Sequence, residues 1–369
     1  MPGSDADGAI DDLEAWLRFA LAPELGPAKQ RKLLAAFGGP QEVLDATPAE
    51  VTRAAGVAAA TALVASADST LVSYTLNWLR ESDNHLLSLA DTRYPRPLLE
   101  IADPPVVLFA KGRLDLLDRP ALAIVGSRQA TPRGTRDAEA FAQALSDAGF
   151  TIVSGMALGI DSAAHRGGLA GIGSSIAVIG TGLDKVYPAR NRELAHRLAT
   201  EGLLLSEFPL GTPPLASNFP RRNRVISGLV RGCLIVEAAL PSGSLITARQ
   251  ALEQGREVFA IPGSIHSPVS KGCHWLIKQG AKLVETAEDV LEEIGLASTS
   301  ARKHPGEQAP PLQMHESAVL AAMSFAPVDV DTICERAGLT PDAASAILLR
   351  LELDGYVSRL PGALLQRMR

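Results

Sequence analysis

From residue 121 to residue 261 the chain repeats one unit: a short apolar run, a break rich in glycine and small polar side chains, and a helix-length stretch. The apolar runs are 121–125, 151–154, 175–179, 203–205, 233–236 and 257–261. They do not alternate apolar with polar, as a half-exposed strand would, so they read as strands covered on both faces. Helical lengths at 132–148, 162–169, 190–200 and 244–254 separate most of them. The pattern predicts an α/β fold, a mostly parallel sheet with helices over it. Open sheets of this kind take ligands at the carboxyl ends of their strands, which says where to look for chemistry.

The flanks have a different character. The first ninety residues read as helices broken by Leu25-Gly26-Pro27, Gly38-Gly39-Pro40 and Thr47-Pro48. Helix, glycine turn, helix is the layout of a helix-hairpin-helix or sterile-alpha-motif-like module, or of a plain packing module. Thr47 suits an N-cap and Pro48 a first helical position. Prolines at 95, 97, 104 and 105 then bar regular helix, and 106–109 reads as a lead-in strand. Residues 298–311 are polar with three prolines and read as a linker. Three further helix candidates, at 317–323, 330–337 and 341–354, precede a hairpin turning at Pro361-Gly362, which is a winged-helix-like layout. The expected division is 1–90 helical module, 91–297 sheet domain, 298–311 linker and 312–369 winged-helix-like domain, consistent with 369 residues.

Cys233, Cys273 and Cys334 are far apart and odd in number, so neither a disulfide framework nor a zinc site is expected. The first 14 residues carry five acids and no base, unlike a signal peptide. No apolar run reaches the length of a membrane span. A reduced, cytoplasmic protein without membrane attachment is expected.

Three strand ends carry similar loops. Gly126-Ser127-Arg128 offers close backbone approach, a hydroxyl and a forked cation suited to phosphate. Ser154-Gly155-Met156-Ala157-Leu158-Gly159-Ile160-Asp161 opens a helix, with Asp161 available to cap it. Gly180-Thr181-Gly182 leads to Tyr187-Pro188-Ala189-Arg190-Asn191. Any one of them is explained equally well as a tight turn, but three at one sheet edge favour an anion site, because helix N-termini attract negative charge. No G-x-G-x-x-G and no G-x-x-x-x-G-K-[ST] occurs, so no dinucleotide or ATP cofactor is expected.

The stretch Phe219-Pro220-Arg221-Arg222-Asn223-Arg224 is the most informative. Arginine supplies bidentate phosphate contacts, asparagine bonds bases or backbone, and an aromatic ring stacks on a base. Cations at a helix start oppose the macrodipole at about 0.3–1 kcal/mol per exposed charge, a cost that a bound anion removes. The whole chain has a net charge of −6, which argues against coating nucleic acid by bulk charge. Residues 120–230 nevertheless hold 11 Lys+Arg against 8 Asp+Glu, leaving that region positive.

Taken in order, Gly126-Ser127-Arg128, Ser154-Gly155-x-Ala157-x-Gly159-Ile160-Asp161 with Ala164-His165, Gly180-x-Gly182, Tyr187-Pro188, Phe219-Pro220-x-Arg222-Asn223-Arg224-x-Ile226-x-Gly228 and Ser242-Gly243-Ser244-x-x-Thr247-Ala248 resemble the DNA-processing protein A family, DprA or Smf. The likeness is close over residues 94–285 and looser in the flanks. It implies an extended Rossmann-like fold with helices on both faces. It also implies binding of single-stranded DNA, protection of incoming DNA, dimerisation through the Rossmann-like domain, and help in loading the RecA recombinase during natural transformation. By the same resemblance the DNA contacts would be Gly126, Ser127, Arg128, Gly155, Gly180, Arg190, Asn191, Phe219, Arg221, Arg222, Asn223, Arg224, Gly243 and Ser244, with no metal and no cofactor. One departure is Cys273, where relatives carry Asn, which puts a hydrogen bond at the sheet edge in question.

Two rival functions follow from the same residues. A nucleotide-processing enzyme resembling the phosphoribohydrolases would need the glutamate of P-G-G-x-G-T-x-x-E, but the corresponding stretch, Pro241 to Thr247, has no carboxylate before Glu253. Asp161 and His165, four apart, share a helix face and offer an acid–base pair, against which stand a capping Asp and a packed His. A transcription regulator would rest on the tail, yet 341–354 pairs Arg350 with Glu352 and Asp354, a poor reading face for DNA.

Overall fold

A computed structural model of the chain describes residues 4–295, 314–323, 328–360 and 364–368. The expected linker at 298–311 and the Pro361-Gly362 turn lie outside the described residues.

Nine strands form the main sheet: β1 (Asn84–Ser88), β2 (Val107–Gly112), β3 (Ala121–Val125), β4 (Thr151–Ser154), β5 (Ser175–Val178), β6 (Leu203–Ser206), β7 (Gly232–Ile235), β8 (Glu257–Ala260) and β9 (Lys282–Leu283). Their order is β1-β2-β6-β5-β4-β3-β7-β8-β9. The strands from β3 to β9 are parallel, and β2 pairs antiparallel with both β1 and β6. From β3 the chain lays β4, β5 and β6 outward on one side, then returns to lay β7, β8 and β9 on the other. The reversal falls between β3 and β7, and ligand crevices in open sheets form at such switch points.

The apolar runs form strands because both their faces are covered. In β3, Ala121, Ala123 and Val125 pack with Val225 and Ile226 of the Asn218–Gly228 helix, with Leu229 just after it, and with Ala248 and Ala251 of the Gly243–Glu253 helix. Leu122 and Ile124, on the opposite face, pack with Phe141 and Leu145 of the Pro132–Asp147 helix and Ala163 and Ala164 of the Ile160–Ala170 helix. The period of two in side-chain direction thus leaves no polar face to show in the sequence.

The sheet starts earlier than the expected boundary at residue 91, since β1 lies at 84–88. Its Leu-Leu core was hidden between polar neighbours, and its pairing with β2 spans a proline-rich loop. Six helices precede it, including Ser4–Ala20, Pro27–Phe37 and Pro48–Ala55, the last capped by Thr47 in a reciprocal pair with Glu50. These helices share one buried cluster with the sheet: Trp16, Leu17, Phe19 and Leu33 pack with Val107, Phe109, Ala177 and Leu204.

The tail has helices Met314–Ala322, Val330–Ala337 and Pro341–Leu353, and a small sheet in the order β10 (Val328–Asp329), β12 (Leu364–Arg367), β11 (Val357–Leu360). Thr340 caps the last helix, its side chain accepting the Ala343 amide. The tail touches the sheet domain where Arg133 donates to the Met368 carbonyl and Arg136 to that of Gly355, both from the Pro132–Asp147 helix.

Candidate nucleic-acid interface

A cleft of about 710 Å³ opens at the switch point between β3 and β7. Gly126, Ser127 and Arg128 enter it from the end of β3, and Ser242, Gly243 and Ser244 from the loop after β7. Two glycines let these loops close up. A Cβ on Gly126 would lie 2.7 Å from Ile160 and 2.8 Å from the Glu237 carbonyl oxygen. Gly159 has φ +78° and abuts the Ser127 carbonyl, which accepts the Ile160 amide at 3.1 Å. The Gly243–Glu253 helix begins in the cleft with no side-chain cap and no acid in its first turn, so its leading amides suit an anion.

The third wall is the Asn218–Gly228 helix. Phe219, Arg222, Asn223 and Ile226 line the cleft. Their spacing of three, four and seven puts them on one stripe. Arg221 and Arg224 are three apart on another side of the helix, and both pair with Glu207. Glu207 follows β6 and its side chain is 3% exposed; that of Arg224 is 9% exposed. Arg224 also pairs with Asp103 at 3.0 Å, and Asp103 pairs with Arg31 of the Pro27–Phe37 helix. The protein therefore supplies the anion that the sequence left to a ligand for two of the three arginines. Arg221 keeps a partly exposed side chain over the Phe208 ring, outside the cleft.

Arg222 is 4% exposed, yet its residue lines the cleft. Its guanidinium donates to the carbonyls of Gly155, at 2.7 Å, and Val178. Burial lowers it to about 10, aided by Arg128 and opposed by Asp161, so it remains cationic at neutral pH. Burial also raises the Asp161 carboxyl above its ordinary range, against the pull of Arg222. Arg128, by contrast, is exposed, with its guanidinium 5.6 Å from the Phe219 ring centre.

Other expected site residues serve the loops. Gly155 makes room for the Arg222 guanidinium, and Gly180 for the Phe219 ring. Asn191 is buried and donates to the Met156 carbonyl and Ser162 hydroxyl, while Arg190 is exposed and does not line the cleft. The cleft thus gathers Gly126, Ser127, Arg128, Phe219, Arg222, Asn223, Gly243 and Ser244, and leaves Gly155, Gly180, Arg190, Asn191, Arg221 and Arg224 outside its lining. It also takes in Tyr187, Ile226 and Ile246, which the sequence reading did not place there. The helical spacing from Phe219 carried the signal for Ile226.

Asp161 and His165 do not form an acid–base pair. Asp161 accepts the Ala157 amide at 3.2 Å from inside the helix, which Gly159 caps. The Ser175 hydroxyl donates to the Ile152 carbonyl, so it receives the His165 Nδ1–H at 2.8 Å, leaving Nε2 to accept the Met156 amide. Burial and the charges of Arg222 and Arg166 push His165 down to about 3, a neutral packed imidazole. Cys273 places its Sγ 3.7 and 3.6 Å from the carbonyls of Ile235 and Val236, so a weak thiol donor stands at the end of β7. Among the described residues no group of three or more His, Cys, Asp or Glu side chains is placed to hold a metal.

Two family models match the chain in succession. The family model for DNA recombination-mediator protein A matches residues 85–295, and that for the DprA winged helix domain matches 303–363. The chain is 46% identical over 306 residues to Protein Smf of Escherichia coli, covering 81% of each. It is 52% identical over 206 residues to DNA processing protein DprA of Streptococcus pneumoniae, covering 56% of this chain and 73% of that protein. The crystal structure of DprA from Streptococcus pneumoniae superposes with a TM-score of 0.68 at 40% identity, covering 76% of this chain and 97% of the other. A DprA structure from Helicobacter pylori, described for its single-stranded DNA binding mode, gives 0.52 at 30% identity over 57% of this chain and 95% of that one.

Proposed function

This chain belongs to the DNA recombination-mediator protein A family, and we propose that the cleft between β3 and β7 is where it holds single-stranded DNA. The observation that carries this is the meeting of an exposed Arg128, the uncapped start of the Gly243–Glu253 helix and aromatic side chains in one open groove. Cation and amides neutralise phosphates, and base order matters little because every base can stack. Arg222 acts from beneath, fixing the loop after β4, and Arg221 and Arg224 hold the helix to the rest of the protein.

The role is to bind and hand on the strand without a chemical step. Both ring nitrogens of the neutral His165 are engaged, one with Ser175 and one with Met156, so the imidazole is not free to trade a proton with Asp161, which weighs against hydrolysis in this cleft. The strand is passed to a RecA recombinase during natural transformation, in the cytoplasm, by a homodimer joined through the sheet domain. Among the described residues no single helix is long and apolar enough to cross a membrane.

A salt series of binding to single- and double-stranded oligonucleotides tests the reading. Single strands should bind tighter, with log affinity falling by about 0.7 per decade of salt for each phosphate neutralised. Arg128→Ala should reduce that slope by roughly one such unit. Equal affinity for both forms, or an unchanged slope in a folded Arg128→Ala protein, would overturn it. Acceleration of RecA-driven strand exchange by the intact protein tests the handing-on.

A further inference from the structure

Glu237, just past the end of β7, holds both ends of the segment that carries Arg128. Its carbonyl accepts the Ser127 amide at 2.7 Å. Its carboxylate accepts the Thr131 amide at 2.9 Å on Oε2 and the Thr131 hydroxyl at 2.6 Å on Oε1. The same hydroxyl accepts the Gly134 amide at 3.0 Å, so the carboxylate caps the Pro132–Asp147 helix through it. That helix has no acid in its first turn, and Glu237 supplies one from another strand. Two glycines clear the room. A Cβ on Gly126 would lie 2.8 Å from the Glu237 carbonyl oxygen, and one on Gly134 would overlap the Glu237 carboxyl group. Glu237 itself does not line the cleft.

Fixing both ends leaves little freedom between them. The Ser127 carbonyl accepts the Ile160 amide, and the Gln129 amide donates to the Ser127 hydroxyl at 3.1 Å. Arg128 is thus an exposed cation on a backbone held from both sides. A side chain that starts from a fixed backbone loses less freedom when it meets a phosphate. We propose that Glu237 is a positioning residue of the cleft: it does not touch DNA, and it sets the Arg128 loop for the phosphate contact. This deepens, and rests on, the reading of the cleft as a single-strand site. The carboxylate also fills the start of the helix after β3, where open sheets seat a phosphate. A phosphate is left with Arg128 and the uncapped start of the Gly243–Glu253 helix.

The test is a double-mutant cycle read as affinity for a single-stranded oligonucleotide across a salt series. Glu237→Ala and Glu237→Gln are each made in wild type and in Arg128→Ala. In the wild-type background Glu237→Ala should bind about 5-fold more weakly, the order of one exposed ion pair, and its salt slope should move toward that of Arg128→Ala. Glu237→Gln keeps an acceptor for the Thr131 amide and should fall between the two. In the Arg128→Ala background both substitutions should leave affinity and slope unchanged, because the side chain they position is gone. A structural role alone would weaken binding alike in both backgrounds. Thermal melts identify the folded variants, and Glu237→Gln decides alone if Glu237→Ala does not fold. If wild type fails to bind single strands, or Arg128→Ala binds as wild type does, the function reading falls and the positioning role with it. If those two hold and the Glu237 substitutions act equally in both backgrounds, or in neither, the positioning role alone is overturned.

Discussion

Arg222 and Gly155 occupy the same small space: the guanidinium donates to the Gly155 carbonyl at 2.7 Å, and a Cβ on Gly155 would lie 2.6 Å from Nη2. A cation from the helix after β6 is thereby locked under the loop after β4, and the loop can only be glycine at that point. Gly155→Ala should cost about 1–3 kcal/mol, as overpacking does, because the guanidinium is tethered to two carbonyls and cannot swing away. Urea denaturation measures it; wild-type stability would show that Arg222 has another place to go.

Arg128 and Arg222 should separate binding from folding. Arg128→Ala removes an exposed side chain, so the midpoint should shift by less than about 0.5 kcal/mol while single-strand affinity falls. Arg222→Ala strands the Gly155 and Val178 carbonyls and leaves Asp161 without its facing cation, a loss of roughly 3–5 kcal/mol. Arg222→Glu, although the resemblance places Arg222 among the DNA contacts, should unfold the site before it reports on DNA. Parallel thermal melts and binding curves distinguish the two; a stable Arg222→Ala protein that has lost only affinity would reverse the assignment.

His165 should make stability fall with acid. Its folded pKa is about 3 against an ordinary 6.5. Between these values the unfolded chain takes up a proton that the folded chain refuses, so the contribution is full above pH 6.5 and is lost as pH falls toward 3. The slope approaches about 1.4 kcal/mol per pH unit at most. Asp161, Glu207 and Glu237, raised by burial, act in the opposite sense over part of this range. The difference between wild type and His165→Gln isolates the imidazole: the two urea midpoints should converge as pH drops from 6.5 to 4.5. A constant gap would mean that His165 titrates alike in both states.

Arg31 and Arg224 should be energetically coupled although they do not touch. Asp103 pairs with both, one from the N-terminal helices and one from the helix that walls the cleft. Because Asp103 is partly exposed, a coupling of about 0.5–1 kcal/mol is expected in a double-mutant cycle with Arg31→Ala and Arg224→Ala. Strict additivity would show that the bridge is too well solvated to carry energy.

Much of the fold was legible because burial on both faces leaves an unmistakable pattern. Ala121–Val125 is apolar throughout, and Thr131 and Thr340 mark helix starts through hydrogen bonds to nearby amides, so such features are local and show in local sequence. The edge strands were harder to read. β1 is short and flanked by polar residues, and only its pairing with β2 makes it a strand.

The arginine cluster marks the limit. Its composition and its place at a strand end followed from sequence, and so did an attraction for anions. The direction each side chain takes did not, because the helix turns about 100° per residue and sends neighbours to different sides. Glu207 and Asp103, 17 and 121 residues from Arg224 in the chain, claim Arg224 only once β6 and the Pro104 loop are beside the helix. Arg222 meets Gly155 and Val178 only because β5 and β4 lie under that helix. Local sequence determined which elements form and where phosphate chemistry gathers. Tertiary packing decided which cations remain free for it, since a buried charge must find its partner in three dimensions before the rest is left to a ligand.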